Sequence, residues 1–408
     1  MHVLAPPAIQ LGAFCHSEQI DLRDDQCLFL RPLRHDVLQS YAILVLIPLD
    51  RYGRLLIEQG FESNLEVSTM KLFEEYKVKG MTLKNRIVMP PMCMYQATSD
   101  GLPSSFHLCH YASRALGGVG LIIVESTGVA PEGRITDHDL GIWNDEQIPG
   151  LKRIVDACHA NGAKIALQIN HAGRKSTSSA RQPFAPSAVR FDSDYRMPEE
   201  LTKTQIGEIV AAFKAAAGRA NTAGFDALEI HAAHGYLIHE FLSPITNRRT
   251  DEYGGSLENR VRFLKEMLAA VRPVWPEEKP LWMRVSSRDY QEGGIDGEMM
   301  VQIVNMVKSS IDLVHVSSGS LLPIEINDYP GYQVPLSEKI RRECGKPTIA
   351  VGLITNDEMV EEILQNGRAD LVAMGREVLR NPYWTINAAT KHGIAGYVPE
   401  SYKRAHKV

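Results

Sequence analysis

From residue 70 onward, short apolar runs rich in β-branched residues alternate with longer stretches whose apolar positions recur every three or four residues. Runs of the first kind predict buried strands, and stretches of the second kind predict amphipathic helices. The predicted strands cover residues 86–90, 121–126, 164–170, 227–231, 281–286, 312–317, 348–351 and 370–374. The predicted helices include residues 204–223, 259–271, 297–309 and 356–366. Eight strands with helices between them predict a single (β/α)8 TIM barrel of the α/β class.

A doubly wound parallel sheet is the alternative arrangement of the same units. It is disfavoured because no G-x-G-x-x-G motif follows the first predicted strand. It is also disfavoured because polar residues recur at the carboxyl end of nearly every predicted strand. In a (β/α)8 barrel those ends meet at one face and form the active site.

Residues 1–69 lack this regularity and show no order typical of a cleaved signal peptide. Leu65-Glu66-Val67 can be encoded by codons that contain a bacterial ribosome-binding core just before the codon of Met70. We therefore expect residues 1–69 to be an irregular N-terminal extension translated from upstream sequence, with Met70 as the natural start. A genuine flexible extension is the alternative. The barrel and a C-terminal tail then occupy residues 70–408.

Composition narrows the class of protein. A hydrophobic content of 44% and a charged content of 23% are ordinary for a soluble globular enzyme. The net charge of -5, without a dominant basic run, argues against a nucleic-acid partner. No apolar run approaches the ~20 residues needed to span a membrane. Six cysteines without a C-x-x-C pair or a disulfide-like framework indicate a reducing, cytoplasmic location.

The fourth predicted strand has the most informative carboxyl end. His231, His234 and Tyr236 bring two imidazoles and a phenol within six residues. They offer hydrogen-bond donors and a proton source in one small volume. A single His near a strand end is more often structural. A zinc site completed by Cys93 is a further alternative, but it leaves the glycines at other strand ends without a role, and we predict no metal site.

The seventh and eighth predicted strands end in glycines that suit an anion. Gly352 and Gly375 allow backbone N–H groups to approach a phosphate closely, and Arg376 adds a charged fork. The loops after these two strands are the usual phosphate site of a TIM barrel. A phosphate-bearing cofactor and a phosphorylated substrate both fit.

Arg284 lies within an apolar strand and needs an electrostatic partner. A ligand that gains negative charge, as a flavin does on reduction, would supply one. A buried carboxylate such as Glu229 would supply another, and the residues alone leave both interpretations open. Gln168 carries a donor and an acceptor that suit the edge of a pyrimidine ring.

Seven segments together resemble the Old Yellow Enzyme family of FMN-dependent ene-reductases, in particular its bacterial, thermophilic-like branch of NADPH dehydrogenases. The segments are 83–87 (LKNRI), 91–95 (PMCMY), 168–175 (QINHAGRK), 231–236 (HAAHGY), 247–256 (NRRTDEYGGS), 258–260 (ENR) and 374–376 (MGR). The resemblance extends from residue 70 to about residue 404.

The resemblance implies that FMN lies across the barrel mouth. Its implied contacts are Pro90, Pro91, Met92, Cys93, Ser126, Gln168, Lys175, Arg284, Ser317, Gly352, Gly375 and Arg376. Cys93 would lie beside the flavin and tune its redox behaviour. Ser126 is a departure, because this position is often Ala in the family.

The resemblance also implies the roles of the remaining site residues. His231 and His234 would bind the electron-withdrawing oxygen of an α,β-unsaturated carbonyl or nitro compound, and Tyr95 would position it. Tyr236 would donate a proton to the α-carbon. NADPH would reduce FMN and leave before the alkene binds and takes the hydride, in a ping-pong cycle. Arg404 resembles the arginine of a tail that reaches into a neighbouring subunit's active site, which implies a homo-oligomer, a dimer or tetramer.

Two other functions compete with this prediction. A flavin-based redox or stress sensor with low turnover would use Cys93 as its switch. A flavin-free aldolase on the same barrel would need a Schiff-base lysine at a strand end, and only Lys175 is near one.

Overall fold

All eight predicted strands are present in the computed structural model, which describes residues 70–406. The strands are β1 (Tyr76–Val78), β2 (Met81–Leu83), β3 (Ile87–Met89), β4 (Leu121–Gly128), β5 (Leu140–Gly141), β6 (Lys164–Asn170), β7 (Phe184–Ala185), β8 (Glu199–Glu200), β9 (Ala227–Ala232), β10 (Leu281–Ser286), β11 (Val314–Ser317), β12 (Thr348–Ala350) and β13 (Leu371–Ala373). The predicted extension over residues 1–69 lies outside the described residues.

Helices follow the barrel strands and cover the outside of the sheet. They are α1 (Ser105–Leu116), α2 (Ile148–Ala160), α3 (Lys203–Ala223), α4 (Leu237–Leu242), α5 (Leu257–Val271), α6 (Gly297–Val307), α7 (Val334–Cys344), α8 (Asp357–Gln365), α9 (Arg376–Arg380) and α10 (Trp384–Lys391). No helix among residues 70–406 is both long enough and apolar enough to cross a bilayer.

The eight predicted strands close into a ring. Strands β3, β13, β12, β11, β10, β9, β6 and β4 lie side by side in that order, and every neighbouring pair is parallel. The parallel pairing of Val88 with Leu121 joins β3 to β4 and completes the closure. The predicted (β/α)8 barrel is therefore confirmed, and the doubly wound sheet is wrong because the sheet has no open edge at this point.

The barrel strands are buried on both faces, which explains their nearly continuous apolar runs. Along β9, Leu228 and Ile230 pack in the layer between the sheet and the helices, whereas Ala227 packs in the barrel interior. Because side chains alternate along a strand, Glu229 and His231 share the inward face with Ala227. The inward face therefore changes from apolar to polar toward the carboxyl end of the strand.

The boundaries of the long helix α3 show how local sequence sets the elements. Thr202 accepts a hydrogen bond from the backbone of Gln205, and the Gln205 side chain returns to the backbone of Thr202. This capping box contributes about 1 kcal/mol. The helix ends before Gly224, whose φ of 93° is a left-handed conformation suited to glycine. The prediction of residues 204–223 is correct to one residue.

An antiparallel hairpin closes the amino-terminal end of the barrel, and the sequence pattern did not predict it. Strands β1 and β2 pair across Lys79 and Gly80. Val78, Met81 and Leu83 are buried in one cluster with interior residues from the amino ends of the barrel strands. Within residues 70–406, apolar side chains thus fill the amino-terminal end of the barrel, and the cavity described below lies at its carboxyl end.

Candidate active site

A cavity of about 340 Å³ lies at the carboxyl ends of β3, β11, β12 and β13. This volume falls within the usual range for small-molecule sites. Most of the predicted cofactor residues line it, namely Pro90, Pro91, Met92, Arg284, Ser317, Gly352, Gly375 and Arg376. Four others, Cys93, Ser126, Gln168 and Lys175, are not part of this lining and lie at or after the ends of β3, β4 and β6.

The two predicted glycines lie where a side chain would crowd other residues of the cavity lining. Gly352 has a φ of 130°, and a Cβ added there would lie 3.1 Å from the backbone nitrogen of Gln333. A Cβ at Gly375 would lie 3.3 Å from Sδ of Met92. Helix α9 begins directly after Gly375 without a side-chain cap, so its first backbone N–H groups remain available to an anion. The exposed Arg376 adds a positive charge at this end.

Arg284 is buried within β10 without a charged contact. Its side chain forms no ion pair with the residues that the structure describes, and its Nε lacks a hydrogen-bond partner among them. Burial lowers its pKa, whereas the charge of Glu229 acts in the opposite direction. Because an unpaired buried guanidinium is costly, this residue indicates an anionic ligand.

Glu229 is the hub of a buried network below Arg284. Its carboxylate accepts hydrogen bonds from Nε1 of Trp282 at 2.6 Å, Nδ1 of His315 at 2.7 Å and Nε2 of Gln168 at 2.8 Å. The nearby positive groups and these bonds outweigh burial and lower the pKa of Glu229. The sequence left Glu229 open as the ion-pair partner of Arg284, and the structure gives it these three partners instead.

His231, His234 and Tyr236 form one aromatic cluster at the end of β9. The His231 ring lies 5.2 Å from that of His234 and 4.9 Å from that of Tyr236, with both pairs edge to face. Burial, reinforced by the charge of Arg284, lowers the pKa of both histidines well below 6.5. Burial also raises the pKa of Tyr236 well above 10. Near neutral pH the cluster therefore contains two neutral imidazoles and a protonated phenol.

The His234 ring is held by a hydrogen bond at the cavity. Nε2 of His234 lies 2.8 Å from Oγ of Ser317, which also accepts from Nε2 of Gln333 at 3.2 Å. The His234 ring thus faces the cavity lined by Ser317 and Gln333.

Cys93 and Tyr95 lie on the loop after β3. Tyr95 has a φ of 54° and is 44% exposed. Burial, followed by the negative charges of Asp139 and Glu125, raises the pKa of Cys93. Glu125 holds the loop by accepting a hydrogen bond from the backbone of Met94 at 2.8 Å. Ser126, the next residue after Glu125, is buried at 3% exposure.

Lys175 lies beside the aromatic cluster. Its Nζ donates to the carbonyl oxygens of His234 at 3.1 Å and of Ser320 at 3.3 Å. It also lies 5.2 Å from the centre of the Tyr236 ring. Burial and the neighbouring charge of Arg174 lower the pKa of Lys175 to about 8.

The predicted C-terminal residue of the site lies apart from it. Arg404 is exposed in the helical turns Glu400–His406. No hydrogen bond or ion pair connects it to the site residues within the described chain. Its predicted role at a subunit interface therefore stays a prediction.

Several residues of the site were missed by the sequence interpretation. Gln333 is 3% exposed, lines the cavity and donates to both Ser317 and Ser318. Tyr332 lines the same cavity. Both follow the Pro330-Gly331 turn before α7, and this turn was the available signal.

Comparison with known proteins places this geometry in a family. Residues 71–394 match the NADH:flavin oxidoreductase / NADH oxidase family. An NADPH dehydrogenase of Clostridium acetobutylicum is 59% identical over 337 residues, covering 82% of this chain and 99% of the relative. Morphinone reductase has a similar structure, with a TM-score of 0.70 and 31% identity over 81% of this chain and 91% of that chain. A 2-naphthoyl-CoA reductase gives a TM-score of 0.75 and 27% identity over 79% of this chain, which spans 52% of that longer protein. The chain therefore belongs to the NADH:flavin oxidoreductase / NADH oxidase family, and its resemblance to the Old Yellow Enzymes is confirmed.

Proposed function

We propose that this protein is an FMN-dependent NADPH dehydrogenase that reduces the activated C=C bond of α,β-unsaturated carbonyl and nitro compounds. The observation that carries the proposal is the position of Arg284. This buried cation forms no ion pair with the described residues, lines the cavity bordered by Gly352 and Gly375, and lies opposite His231 on the neighbouring strand. The similarity to relatives named NADPH dehydrogenase supports the same activity. A structure of morphinone reductase in complex with tetrahydroNAD shows that a nicotinamide analogue binds to that neighbour.

The residues of the cavity fit FMN. Gly352, Gly375 and Arg376 would hold its phosphate, because they line the cavity and combine backbone donors without side chains with a positive charge. Arg284 would face the part of the flavin that becomes negative on reduction. The carbonyl of Gln168 would accept from the ring edge, since its amide nitrogen is already bound to Glu229. When bound, FMN would supply the chemistry for hydride transfer from NADPH to the β-carbon of the alkene.

The side chains at the end of β9 would act on the substrate. Neutral His231 and His234 can donate hydrogen bonds to a carbonyl or nitro oxygen and stabilise the negative charge that develops there. Protonated Tyr236 can supply the proton that the α-carbon needs. The half-exposed Tyr95 would position the substrate at the mouth of the site.

We extend the proposal to the assembly and its location. A homo-oligomer in which Arg404 enters a neighbouring active site would give the exposed C-terminal segment a role. The absence of disulfide-like cysteine spacing in the sequence supports a cytoplasmic location. The raised pKa of Cys93 weighs against the redox-sensor alternative, because a thiol that stays protonated reacts slowly.

A visible spectrum under anaerobic conditions tests the proposed function. NADPH should bleach the flavin bands of the purified protein, and 2-cyclohexenone should restore them. Bleaching without recovery would refute the ene-reductase activity and favour another flavoprotein function. A protein that remains colourless after FMN is supplied would refute the cofactor assignment.

A further inference from the structure

Two consecutive residues between the proposed catalytic side chains have left-handed backbone conformations. His234 has a φ of 60° and Gly235 a φ of 72°. A left-handed conformation is unfavourable for a residue such as His, so the surrounding structure must hold it. No residue with a side chain fits at position 235, because an added Cβ would clash with the carbonyl oxygen of Ser320. The conformation of this turn determines where His234 and Tyr236 point.

The backbone groups of the turn are held by side chains and by the chain itself. The His234 N–H donates to Oγ of Ser286 at 2.9 Å, and the His234 carbonyl accepts from Lys175. The Tyr236 N–H donates to the Ala233 carbonyl at 3.2 Å. The remaining N–H, that of Gly235, donates to Nδ1 of His239 at 2.9 Å.

His239 is in turn held by a buried carboxylate. Its Nε2 lies 2.9 Å from Oδ1 of Asp289, and both side chains are completely buried. Because the Gly235 N–H needs an acceptor, Nδ1 of His239 carries no proton and the ring proton lies on Nε2, facing Asp289. The other carboxylate oxygen of Asp289 accepts from Oγ of Ser243 and from the backbone N–H of Ile295, each at 2.7 Å.

We propose that Asp289 and His239 form a positioning relay that fixes the turn at Gly235 and thereby the placement of His234 and Tyr236. This inference rests on the proposed function for its kinetic consequence. Neither residue lines the cavity. The relay acts through the tautomer of His239, which keeps an acceptor opposite the Gly235 N–H.

The substitution Asp289→Asn is the informative change, because it keeps the shape and reverses one hydrogen bond. The Ile295 N–H can only donate, so the Asn carbonyl must stay opposite it and the Asn NH2 must face His239. Nε2 of His239 then has to accept, and its proton moves to Nδ1, opposite the Gly235 N–H. Two donors face each other, and the turn loses its support.

The matched control is Ser243→Ala, which removes a hydrogen bond from the same carboxylate but leaves the contacts from Asp289 to Gly235 intact. Amide hydrogen exchange resolved to single residues should be at least tenfold faster at Gly235 in Asp289→Asn than in the wild type. In Ser243→Ala, the exchange rate at Gly235 should be unchanged. In stopped-flow experiments, reoxidation of the reduced enzyme by 2-cyclohexenone should slow about 10–100-fold in Asp289→Asn, as expected for a misplacement on the order of 1 Å. FMN content should stay unchanged, and flavin reduction by NADPH should fall less than reoxidation.

A double variant separates this role from a general loss of structure. In Asp289→Asn/His239→Asn, the side-chain carbonyl at residue 239 can accept the Gly235 N–H whatever residue 289 offers, and the reoxidation rate should recover in part. Asp289→Asn/His239→Leu should not recover. Unchanged exchange at Gly235 in Asp289→Asn, or an equal loss of rate in Ser243→Ala, would overturn the relay. The exchange measurement does not depend on turnover. A wild-type protein without NADPH or alkene activity would therefore refute the proposed function, while exchange at Gly235 would still test the relay.

Discussion

The side chain of Gln168 donates from Nε2 to Oε1 of Glu229 at 2.8 Å inside the barrel. An ionised carboxylate can only accept, so the orientation of the Gln168 amide is determined by this bond. Its carbonyl oxygen is thereby directed away from Glu229. The negative charge of Glu229 also acts to raise the pKa of Arg284, against the effect of burial, and so stabilises its charged form. The Glu229 carboxylate thus orients the Gln168 amide and also partly offsets the charge of Arg284, on the same side of the proposed flavin site.

Replacing Glu229 by Gln should change the electrochemistry of the bound flavin. Without the carboxylate, the charge of Arg284 stabilises a negatively charged reduced flavin more strongly. We expect the midpoint potential to rise by roughly 30 mV, which corresponds to about 1.4 kcal/mol for a two-electron couple. Spectroelectrochemical titration measures it. Glu266→Gln, which alters a carboxylate bound to Tyr253 outside the cavity lining, should leave the potential unchanged. A lowered potential in Glu229→Gln would contradict the assigned charge arrangement.

Replacing Tyr236 by Phe should affect only one half of the catalytic cycle. Burial keeps the Tyr236 hydroxyl protonated, and the substitution removes that proton. Reoxidation by an enone should slow by about 10²–10⁴-fold, the usual contribution of a general acid. Flavin reduction by NADPH should remain within a few-fold of wild type. Stopped-flow absorbance of each half-reaction tests this, with Tyr253→Phe as the control. Equal losses in both half-reactions would exclude the role of proton donor.

The pH dependence of alkene reduction should reflect Lys175 rather than the histidines. Burial lowers the pKa values of His231 and His234 well below 6.5, so their titration should add no inflection to the rate near neutral pH. Lys175 carries its charge below its pKa of about 8 and loses it above. Its charge-assisted bonds to the carbonyls of His234 and Ser320 then weaken, and the rate should fall severalfold.

The substitution Lys175→Arg provides the control for this pH profile. Arg stays charged over the whole range, so the inflection near pH 8 should disappear. An inflection that persists unchanged in Lys175→Arg would assign it to another group. The rate constants are measured at saturating enone in single-turnover reoxidation.

Alkylation should discriminate between the cysteines. The raised pKa of the Cys93 thiol keeps the reactive thiolate scarce, whereas Cys109 is exposed on α1. We expect iodoacetamide at pH 7 to label Cys109 at least ~10-fold faster than Cys93. Peptide mass spectrometry over time gives both rates. Preferential labelling of Cys93 would favour the sensor function, against which the raised pKa of this thiol argues.

The barrel could be predicted from the sequence because its strands are buried on both faces. Such strands leave apolar runs that are visible without any tertiary information. The hairpin of β1 and β2 escaped because strands of three residues are too short to show a period of two. The local signal in the sequence was the pair Lys79-Gly80 between apolar residues. In the structure Lys79 has a φ of 49°, as in a tight turn.

The candidate site was predictable only where its residues stand at strand ends. His231 and Gln168 lie directly on the inward face of a barrel strand, and their type indicates their chemistry. The support of the site depends on contacts between distant residues, as between His239 and Asp289, which are 50 positions apart. The bond between His234 and Ser317 joins residues 83 positions apart. No spacing rule links such pairs, so only the folded chain shows them.

The hairpin at the amino-terminal end has a consequence for how the protein handles its two reactants. Val78, Met81 and Leu83 fill that end. NADPH and the alkene must therefore both enter at the carboxyl end of the barrel, one after the other. NADPH and the enone then compete for the same space, and an excess of either reactant slows binding of the other. Steady-state rates should therefore pass through a maximum as the concentration of enone rises, and additional NADPH should relieve the decline. The closed amino-terminal end of the barrel thus makes the exchange of reactants at the carboxyl end a determinant of the overall rate.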